Sequence, residues 1–231
     1  MEGGPAAAIE AVIFDYGGVI STPPFAGVAD FEQAQGYPQG SMLRMFLGVD
    51  SGRVVDPEAA RRWHALETGA LTLAHFLEHL LARAPEHLDG EGFDVGAYLE
   101  FSMVAPFGIH WQMVHRAREL RDTGYSTAVL TNNVAEWGPV WRSSFPVDDL
   151  FPVVVDSCEV GLRKPDPRIY LLTCERLSVT AARCVFLDDN IANVQAARGV
   201  GMSALLVGDD PRHALAELDA LLDRGPDRSR S

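Results

Sequence analysis

The stretch Ala11-Val12-Ile13-Phe14-Asp15-Tyr16-Gly17-Gly18 decides the fold, because a short apolar run ends there in a carboxylate and two glycines. Four consecutive apolar residues predict a strand that is buried on both faces, as in a parallel sheet covered by helices. In an open parallel sheet, ligands bind at the carboxyl ends of the strands. Asp15 is therefore the first candidate for a functional residue.

Four further apolar runs have the same character and predict four more buried strands. They occupy residues 127–130, 153–155, 184–187 and 204–207. Apolar residues at helical spacing, with capping residues at their ends, predict helices over 113–120, from Asp166 to about 177, over 190–198 and over 212–222. Strands that alternate with helices predict an α/β fold with a Rossmann-like parallel sheet.

The interval from residue 22 to residue 106 contains no convincing buried strand and is predicted to be all helix. The predicted helices cover residues 28–34, 41–47, 57–66, 72–84 and 95–103. A crossover between parallel strands needs little more than about a dozen residues, so an insertion of this length predicts a separate unit. We therefore predict a core domain of residues 1–22 and 105–231, a helical cap domain of residues 23–104, and a disordered tail over 224–231.

Length and charge limit the classes of function. A chain of 231 residues can bury one sizeable α/β core with a smaller appended domain. A formal net charge of −13 predicts no nucleic acid partner and no anionic membrane partner, because such partners require clustered Lys and Arg. The sequence has no apolar run of about 20 residues, no secretory signal pattern and no CxxC pair among its three cysteines. These features predict a cytoplasmic location and leave the oligomeric state open.

Polar residues follow the predicted strands where each strand ends. Asp15 follows the first strand, Thr131-Asn132-Asn133 the second, and Asp188-Asp189-Asn190 the fourth, while Lys164 lies in the loop after the third. Together they offer a carboxylate nucleophile, oxygen ligands for a hard cation, groups that bind phosphate oxygens, and an ammonium. This combination is what phosphoryl transfer requires. The sequence therefore predicts a small phosphorylated substrate.

Four motifs carry a resemblance to a known family. FDYGGVI (14–20), VLTNN (129–133), GLRKPDPRIY (161–170) and FLDDNIANVQAA (186–197) resemble the motifs of the haloacid dehalogenase superfamily. The motif sequences are most similar to those of the branch that includes the phosphatase domain of soluble epoxide hydrolases. Residues 66–72 of the predicted cap are also similar to that branch. The resemblance implies a modified Rossmann core, a helical cap, and hydrolysis of a phosphate monoester through an aspartyl-phosphate.

The resemblance also implies roles for the residues that carry the chemistry. Asp15 is expected to attack phosphorus, Thr131 and Asn132 to hold the phosphoryl oxygens, and Lys164 to neutralise charge on the nucleophile and the transferring group.

A second set is expected to hold Mg²⁺. Its acidic ligands are Asp15 and Asp189, with Asp188 acting directly or through water, and the backbone carbonyl of Gly17 completes the set. Asn193 is expected to brace the loop from the next helical turn.

One position departs from the common phosphatase pattern of the superfamily. Where that pattern has an Asp that protonates the leaving group, this sequence has Gly17. The backbone carbonyl remains available to a metal ion, but the proton donor is lost, and such donors contribute about 10²–10⁴-fold to rate. We therefore expect slow turnover of substrates with poor leaving groups.

Two alternatives remain open. A 2-haloacid dehalogenase also lacks the second Asp, because a halide leaving group needs no proton, but it would gain nothing from the adjacent carboxylates of Asp188 and Asp189. A phosphate-ester-binding module that has lost catalysis at Gly17 is the other alternative. The presence of Asp15 argues against it, because a binding site needs no nucleophile.

Overall fold

A five-stranded parallel sheet forms the centre of the molecule. The computed structural model describes residues 8–104 and 108–223. The strands of the described residues are, in chain order, β1 (Ala11–Phe14), β2 (Val49–Asp50), β3 (Arg53–Val54), β4 (Ser126–Thr131), β5 (Val153–Asp156), β6 (Cys184–Asp188) and β7 (Ser203–Leu206). The main sheet has the order β5-β4-β1-β6-β7, and all its neighbouring strands pair in parallel. The predicted α/β fold class is confirmed.

Helices cover both faces of this sheet. The helices are, in chain order, α1 (Val28–Gln35), α2 (Ser41–Leu47), α3 (Pro57–Glu67), α4 (Leu73–His87), α5 (Val95–Val104), α6 (Trp111–Asp122), α7 (Gly138–Arg142), α8 (Val147–Leu150), α9 (Ser157–Val160), α10 (Pro167–Leu177), α11 (Ile191–Gly199) and α12 (Pro211–Leu222). Along β1, Val12 and Phe14 pack into a cluster with α6 and α12, whereas Ala11 and Ile13 pack with α10 and α11. Both faces of β1 are therefore buried, which explains its unbroken apolar sequence.

The position of β1 in the sheet places the predicted functional residues side by side. Phe14 lies opposite Val129 of β4 and opposite Leu187 of β6. Asp15 follows Phe14 directly, so it lies between the carboxyl ends of both neighbouring strands. Those ends carry Thr131 and Asp188 as their last residues.

The five helices predicted between the first two strands of the main sheet are present as α1 to α5. They pack around an aromatic cluster of their own. The buried aromatic members of this cluster are Phe31, Phe46, Trp63, Phe76 and Phe93. The division into domains at residues 22 and 105 stays a prediction, and both residue 105 and the tail over 224–231 lie outside the described residues.

The prediction that this interval is all helix was wrong at one place. Strands β2 and β3 form a small antiparallel hairpin, with Val49 opposite Val54. The turn residues Ser51 and Gly52 have φ values of 48° and 76°, which is the left-handed pair that a two-residue hairpin requires. Neither strand is buried, so the hairpin leaves no apolar signal in the sequence.

The predicted end of α4 was also wrong, because the helix continues through Pro85 to His87. A proline inside a helix removes one intrahelical hydrogen bond. Leu80 and Ala84 are buried on the inner face of α4, and this packing holds the last turn in place. Among the described residues, no helix is long and apolar enough to cross a membrane.

Candidate active site

The loop after β1 fixes the carboxylate of Asp15. Only 7% of Asp15 is exposed, and its Oδ1 accepts hydrogen bonds from the Tyr16 backbone N–H at 2.7 Å and from Lys164 Nζ at 2.8 Å. The loop then turns tightly, because the Tyr16 carbonyl accepts from the N–H groups of Ile20 and Ser21, both at 2.8 Å. The orientation of Asp15 is thus set by the backbone and by one buried cation.

Lys164 lies between two carboxylates. Its side chain is 1% exposed, and Nζ is 2.8 Å from Asp15 Oδ1 and 2.7 Å from Asp188 Oδ2. The side-chain amide of Asn132 holds the backbone of Lys164, since Oδ1 accepts from its N–H at 2.8 Å and Nδ2 donates to its carbonyl at 3.0 Å. The loop after β4 therefore positions the loop that carries Lys164.

Asp188 is fully buried, and both its oxygens accept hydrogen bonds. Oδ1 accepts from the Asn190 backbone N–H at 2.8 Å, while Asn193 Nδ2 donates to Oδ1 and Oδ2 at 3.0 and 3.1 Å. With Lys164 on Oδ2 as well, Asp188 has a complete set of partners. Asn193 reaches Asp188 from the first turn of α11.

Asp189 lies against the glycine loop on the other side of the site. Gly18 has a φ of 79°, and a Cβ atom at this position would be 2.0 Å from Asp189 Oδ2. Any side chain at position 18 would therefore collide with this carboxylate, in addition to being strained at positive φ. The second glycine of the motif is thus explained by the close approach of the β1 loop to Asp189.

Burial and charge shift the pKa values of the cluster. Burial raises the pKa of Asp15 well above its usual range, although the Lys164 ammonium opposes the shift. Burial alone would lower the pKa of Lys164, but the charges of Asp15 and Asp188 outweigh it, so the pKa of Lys164 is raised. Partial burial, followed by the charge of Asp188, raises the pKa of Asp189 to about 6. The Lys164 ammonium thus pairs with two buried carboxylates, Asp15 and Asp188, while the exposed Asp189 lies beside them.

The donor set of this cluster fits a hard divalent cation. Asp15, Asp188 and Asp189 each offer an oxygen, and these oxygens lie within 4.8 Å of one another. Full ionisation of the three carboxylates leaves two negative charges that Lys164 does not balance, and Mg²⁺ prefers oxygen ligands of this kind. No other described residue donates a hydrogen bond to the Gly17 carbonyl, so this oxygen is also available.

Thr131 ends β4 beside Asp15 and is 2% exposed. Within the described part of the chain its hydroxyl has no hydrogen-bond partner, which suits a group that binds a ligand. The side chain of Asn132 is already engaged on both ends by Lys164. Its expected contact with a phosphoryl oxygen stays a prediction, and the backbone N–H of Asn132 is the group that can make it without releasing Lys164.

Sequence reasoning missed a contact between α3 and the loops of the sheet edge. Glu67 is 7% exposed and pairs with Arg163 Nε at 2.7 Å, and its carbonyl accepts from the buried Ser157 hydroxyl at 2.5 Å. The only signal in the sequence was the resemblance of residues 66–72 to the family, which gives no partner. Pairing across 96 positions requires the tertiary structure.

Comparisons with known proteins agree with this geometry. A family model described as haloacid dehalogenase-like hydrolase matches residues 9–201. Acyl-CoA dehydrogenase family member 10 of Mus musculus is 35% identical over 217 residues, which is 92% of this chain. The chain spans only 19% of the length of that relative. Phosphatase MT3486 of Mycobacterium tuberculosis (strain CDC 1551 / Oshkosh) is 30% identical over 223 residues, or 93% of this chain and 97% of that protein.

A solved structure shows the same fold. An enzyme of the HAD family from Bacteroides thetaiotaomicron, in complex with magnesium and inorganic phosphate, matches with a TM-score of 0.65 and 21% identity. The match covers 90% of this chain and 99% of that one. Because the family model extends from before β1 to beyond α11, this chain belongs to the haloacid dehalogenase-like hydrolases.

Proposed function

We propose that this chain is a Mg²⁺-dependent phosphatase that hydrolyses a small phosphate monoester through an aspartyl-phosphate on Asp15. One observation carries the proposal: Asp15 directly follows the central strand and lies 2.8 Å from the buried Lys164 ammonium, within one cluster with Asp188 and Asp189. The relative from M. tuberculosis, which is named a phosphatase and aligns over 97% of its length, supports the same class of reaction.

In the first step, an oxygen of the Asp15 carboxylate attacks phosphorus, and the bond between phosphorus and the ester oxygen breaks. The Thr131 hydroxyl and the backbone N–H of Asn132 bind phosphoryl oxygens, and Lys164 neutralises negative charge that develops on them. The leaving oxygen takes the electron pair of the broken bond. It receives its proton from water, since Gly17 has no side chain to supply one.

In the second step, water attacks the phosphorus atom of the aspartyl-phosphate. The bond between phosphorus and the Asp15 oxygen breaks, its electron pair returns to that oxygen, and the carboxylate is restored. One proton of the attacking water leaves with inorganic phosphate, and the other neutralises the hydroxide formed in the first step. Lys164 again stabilises the charge on the transferring group, and it holds Asp15 in place throughout because it pairs with Oδ1.

We propose that Asp15, Asp189 and the Gly17 carbonyl hold Mg²⁺, with Asp188 acting directly or through water. Bound Mg²⁺ supplies positive charge that neutralises the phosphoryl group. The solved structure that contains magnesium is 21% identical to this chain and shows the same fold. The metal assignment therefore rests on the oxygen donors of this chain. Asn193 holds the Asp188 carboxylate in place through two hydrogen bonds.

We also propose that residues 23–104 form a cap domain that closes over the core of residues 1–22 and 105–231.

The experiment is a phosphate-release assay with an aryl phosphate and Mg²⁺. We expect turnover by the wild type, and mass spectrometry after acid quenching should find a phosphoryl adduct on the peptide that contains Asp15. Asp15→Asn should abolish both signals. Phosphate release without dependence on Asp15 would contradict the proposal.

The absence of an acid at position 17 favours one alternative, a carbon–halogen hydrolase, because a halide leaves without a proton. Halide release from a 2-haloacid in the presence of a chelator, with no hydrolysis of phosphate esters, would establish that alternative instead. Binding of inorganic phosphate with turnover of neither substrate would favour a binding module.

A further inference from the structure

The C-terminal end of α3 contacts the sheet edge through one buried acid, Glu67. Its carboxylate accepts from Arg163 Nε at 2.7 Å, and its backbone carbonyl accepts from the Ser157 hydroxyl at 2.5 Å. Ser157 is fully buried, and its oxygen also accepts the N–H of Asn133 at 3.0 Å. Glu67 is therefore held by the first residue of α9 and by the loop after α9, and Ser157 is itself bonded to the loop that follows β4.

The chain after Glu67 lies directly against the core. Gly69 has a φ of 69°, and a Cβ atom there would be 2.7 Å from the carbonyl oxygen of Cys158. This approach is closer than any side chain permits, so only glycine fits. The backbone contact and the ion pair of Glu67 together make this end of α3 a fixed point against the core.

Arg163 connects this fixed point to the catalytic machinery. It immediately precedes Lys164, whose Nζ lies between Asp15 and Asp188. The Asn132 amide holds the backbone of Lys164 from the core. Glu67 of α3 holds Arg163, the residue before Lys164. Two separate interactions therefore fix adjacent residues of one loop.

The charge of Glu67 interacts with the charges of Arg163 and Lys164. Burial raises the pKa of Glu67, and the nearby charge of Arg163 opposes that shift, as does the more distant charge of Lys164. The Glu67 side chain is 9% exposed and the Arg163 side chain 23%, so removing either partner leaves a largely buried charge uncompensated. The pair therefore constrains the Arg163 side chain strongly, and through it the position of the loop.

We infer that Glu67 is a positioning residue for Lys164: through Arg163 it holds residues 161–165 so that the ammonium stays between Asp15 and Asp188. This inference rests on the proposed phosphatase function of that site. The inserted helices would thus help to place the Lys164 ammonium, in addition to any contact that they make with substrate.

The test compares two matched substitutions, Glu67→Gln and Glu136→Gln. Glu136, in the segment after β4, also links the inserted helices to the core, because its Oε1 accepts the backbone N–H of Leu73 at 3.0 Å. Among the hydrogen bonds of the described residues, none joins the Glu136 side chain to residues 161–165. We expect Glu67→Gln to lower kcat for an aryl phosphate about tenfold with KM changed less than about twofold, since Lys164 acts mainly in the transition state. Glu136→Gln should stay within about twofold of wild type for both constants.

A double-mutant cycle separates positioning from general damage. Arg163→Gln should lower kcat as Glu67→Gln does, and the double variant should lose little more, because both changes remove one interaction. Losses that multiply would contradict the inference. Should Glu67→Gln fail to fold, Arg163→Lys keeps the charge but not the Nε donor, and a loss of kcat with unchanged thermal stability would support the inference.

The ammonium of Lys164 gives a readout that does not depend on activity. In an NMR spectrum of side-chain ¹⁵N–¹H groups, the wild type should show a protected ammonium signal that is absent from Lys164→Gln. Glu67→Gln should shift or broaden this signal, while Glu136→Gln should leave it unchanged. If the wild type hydrolyses no phosphate ester, the proposed function fails and this signal alone decides the inference. An unchanged signal in Glu67→Gln would overturn it.

Discussion

The buried carboxylate of Glu32 and the carboxylate cluster of Asp15, Asp188 and Asp189 show opposite ways of placing charge in this protein. Glu32 on α1 is 2% exposed and accepts from the N–H groups of Gly40 and Met42, both at 2.7 Å, and from the Ser41 hydroxyl at 3.3 Å. These donors lie at the N-terminus of α2, whose own N-cap residue, Gly40, offers no side chain. Glu32 therefore caps a neighbouring helix, and its partners satisfy it.

At the sheet edge the balance is incomplete. Asp15 and Asp188 share the single ammonium of Lys164, and Asp189 lies in the same cluster. A buried carboxylate with a full set of donors stabilises the fold, whereas an excess of buried carboxylates costs free energy until a ligand compensates it. The incomplete charge balance, rather than burial of charge as such, distinguishes the candidate site from Glu32.

The largest effect expected from this comparison is the loss of activity in Asp15→Asn. An amide cannot attack phosphorus as a carboxylate does, so kcat should fall by at least about 1,000-fold. Phosphate release from an aryl phosphate measures it. Glu32→Gln is the contrasting variant, because it changes an equally buried acid, and its folded form should keep the wild-type kcat.

The two glycines of the first motif should differ sharply. Gly18→Ala places a methyl group 2.0 Å from the present position of Asp189 Oδ2, whereas the Cβ of Gly17→Ala meets only Pro24, with Cδ at 3.2 Å. We expect Gly18→Ala to lower kcat about 100-fold, or about 2.7 kcal/mol in activation free energy, by displacing Asp189. Gly17→Ala should lose less than about threefold. Equal losses in steady-state assays of the two variants would show that the contact with Asp189 is unimportant.

Mg²⁺ should stabilise the protein by completing the charge balance. At a concentration about 100 times its Kd, a ligand of the native state adds about 2.7 kcal/mol to the free energy of unfolding. Thermal unfolding with and without Mg²⁺ measures the shift. Asp189→Asn should remove most of the Mg²⁺-induced shift in unfolding temperature, whereas Glu32→Gln should keep it. An undiminished shift in Asp189→Asn would place the ion elsewhere.

The smallest effects concern stability without a metal ion, where a change at Glu32 should destabilise the protein and a change at Asp15 should not. Glu32→Gln weakens the bonds to three donors at the start of α2 and should cost about 1–3 kcal/mol in urea unfolding. Asp15→Asn should leave stability unchanged or raise it by up to about 1 kcal/mol, because Lys164 then pairs with Asp188 alone. A loss of stability in Asp15→Asn that matches the loss in Glu32→Gln would remove the distinction.

Much of the candidate site was predictable because it depends on local sequence pattern. Unbroken apolar runs such as residues 11–14 identify strands that are buried on both faces, and the residue after such a strand must lie at the edge of the sheet. Family membership, confirmed by the match over residues 9–201, followed from motifs that are contiguous in sequence. The hairpin of β2 and β3 escaped prediction because two exposed residues per strand carry no periodic signal.

Local sequence pattern was enough to place Asp15 directly after the first strand, Lys164 after another strand, and Asp188-Asp189 at the end of a third. It also predicted the long helical insertion between the first two strands of the sheet. Only the tertiary structure decided that Lys164 pairs with Asp15 and Asp188 together, that Asn132 holds a backbone instead of standing free, and that Glu67 reaches Arg163. The physical reason is that apolar periodicity is a local property of the chain. The partner of a buried charge depends on how distant segments pack.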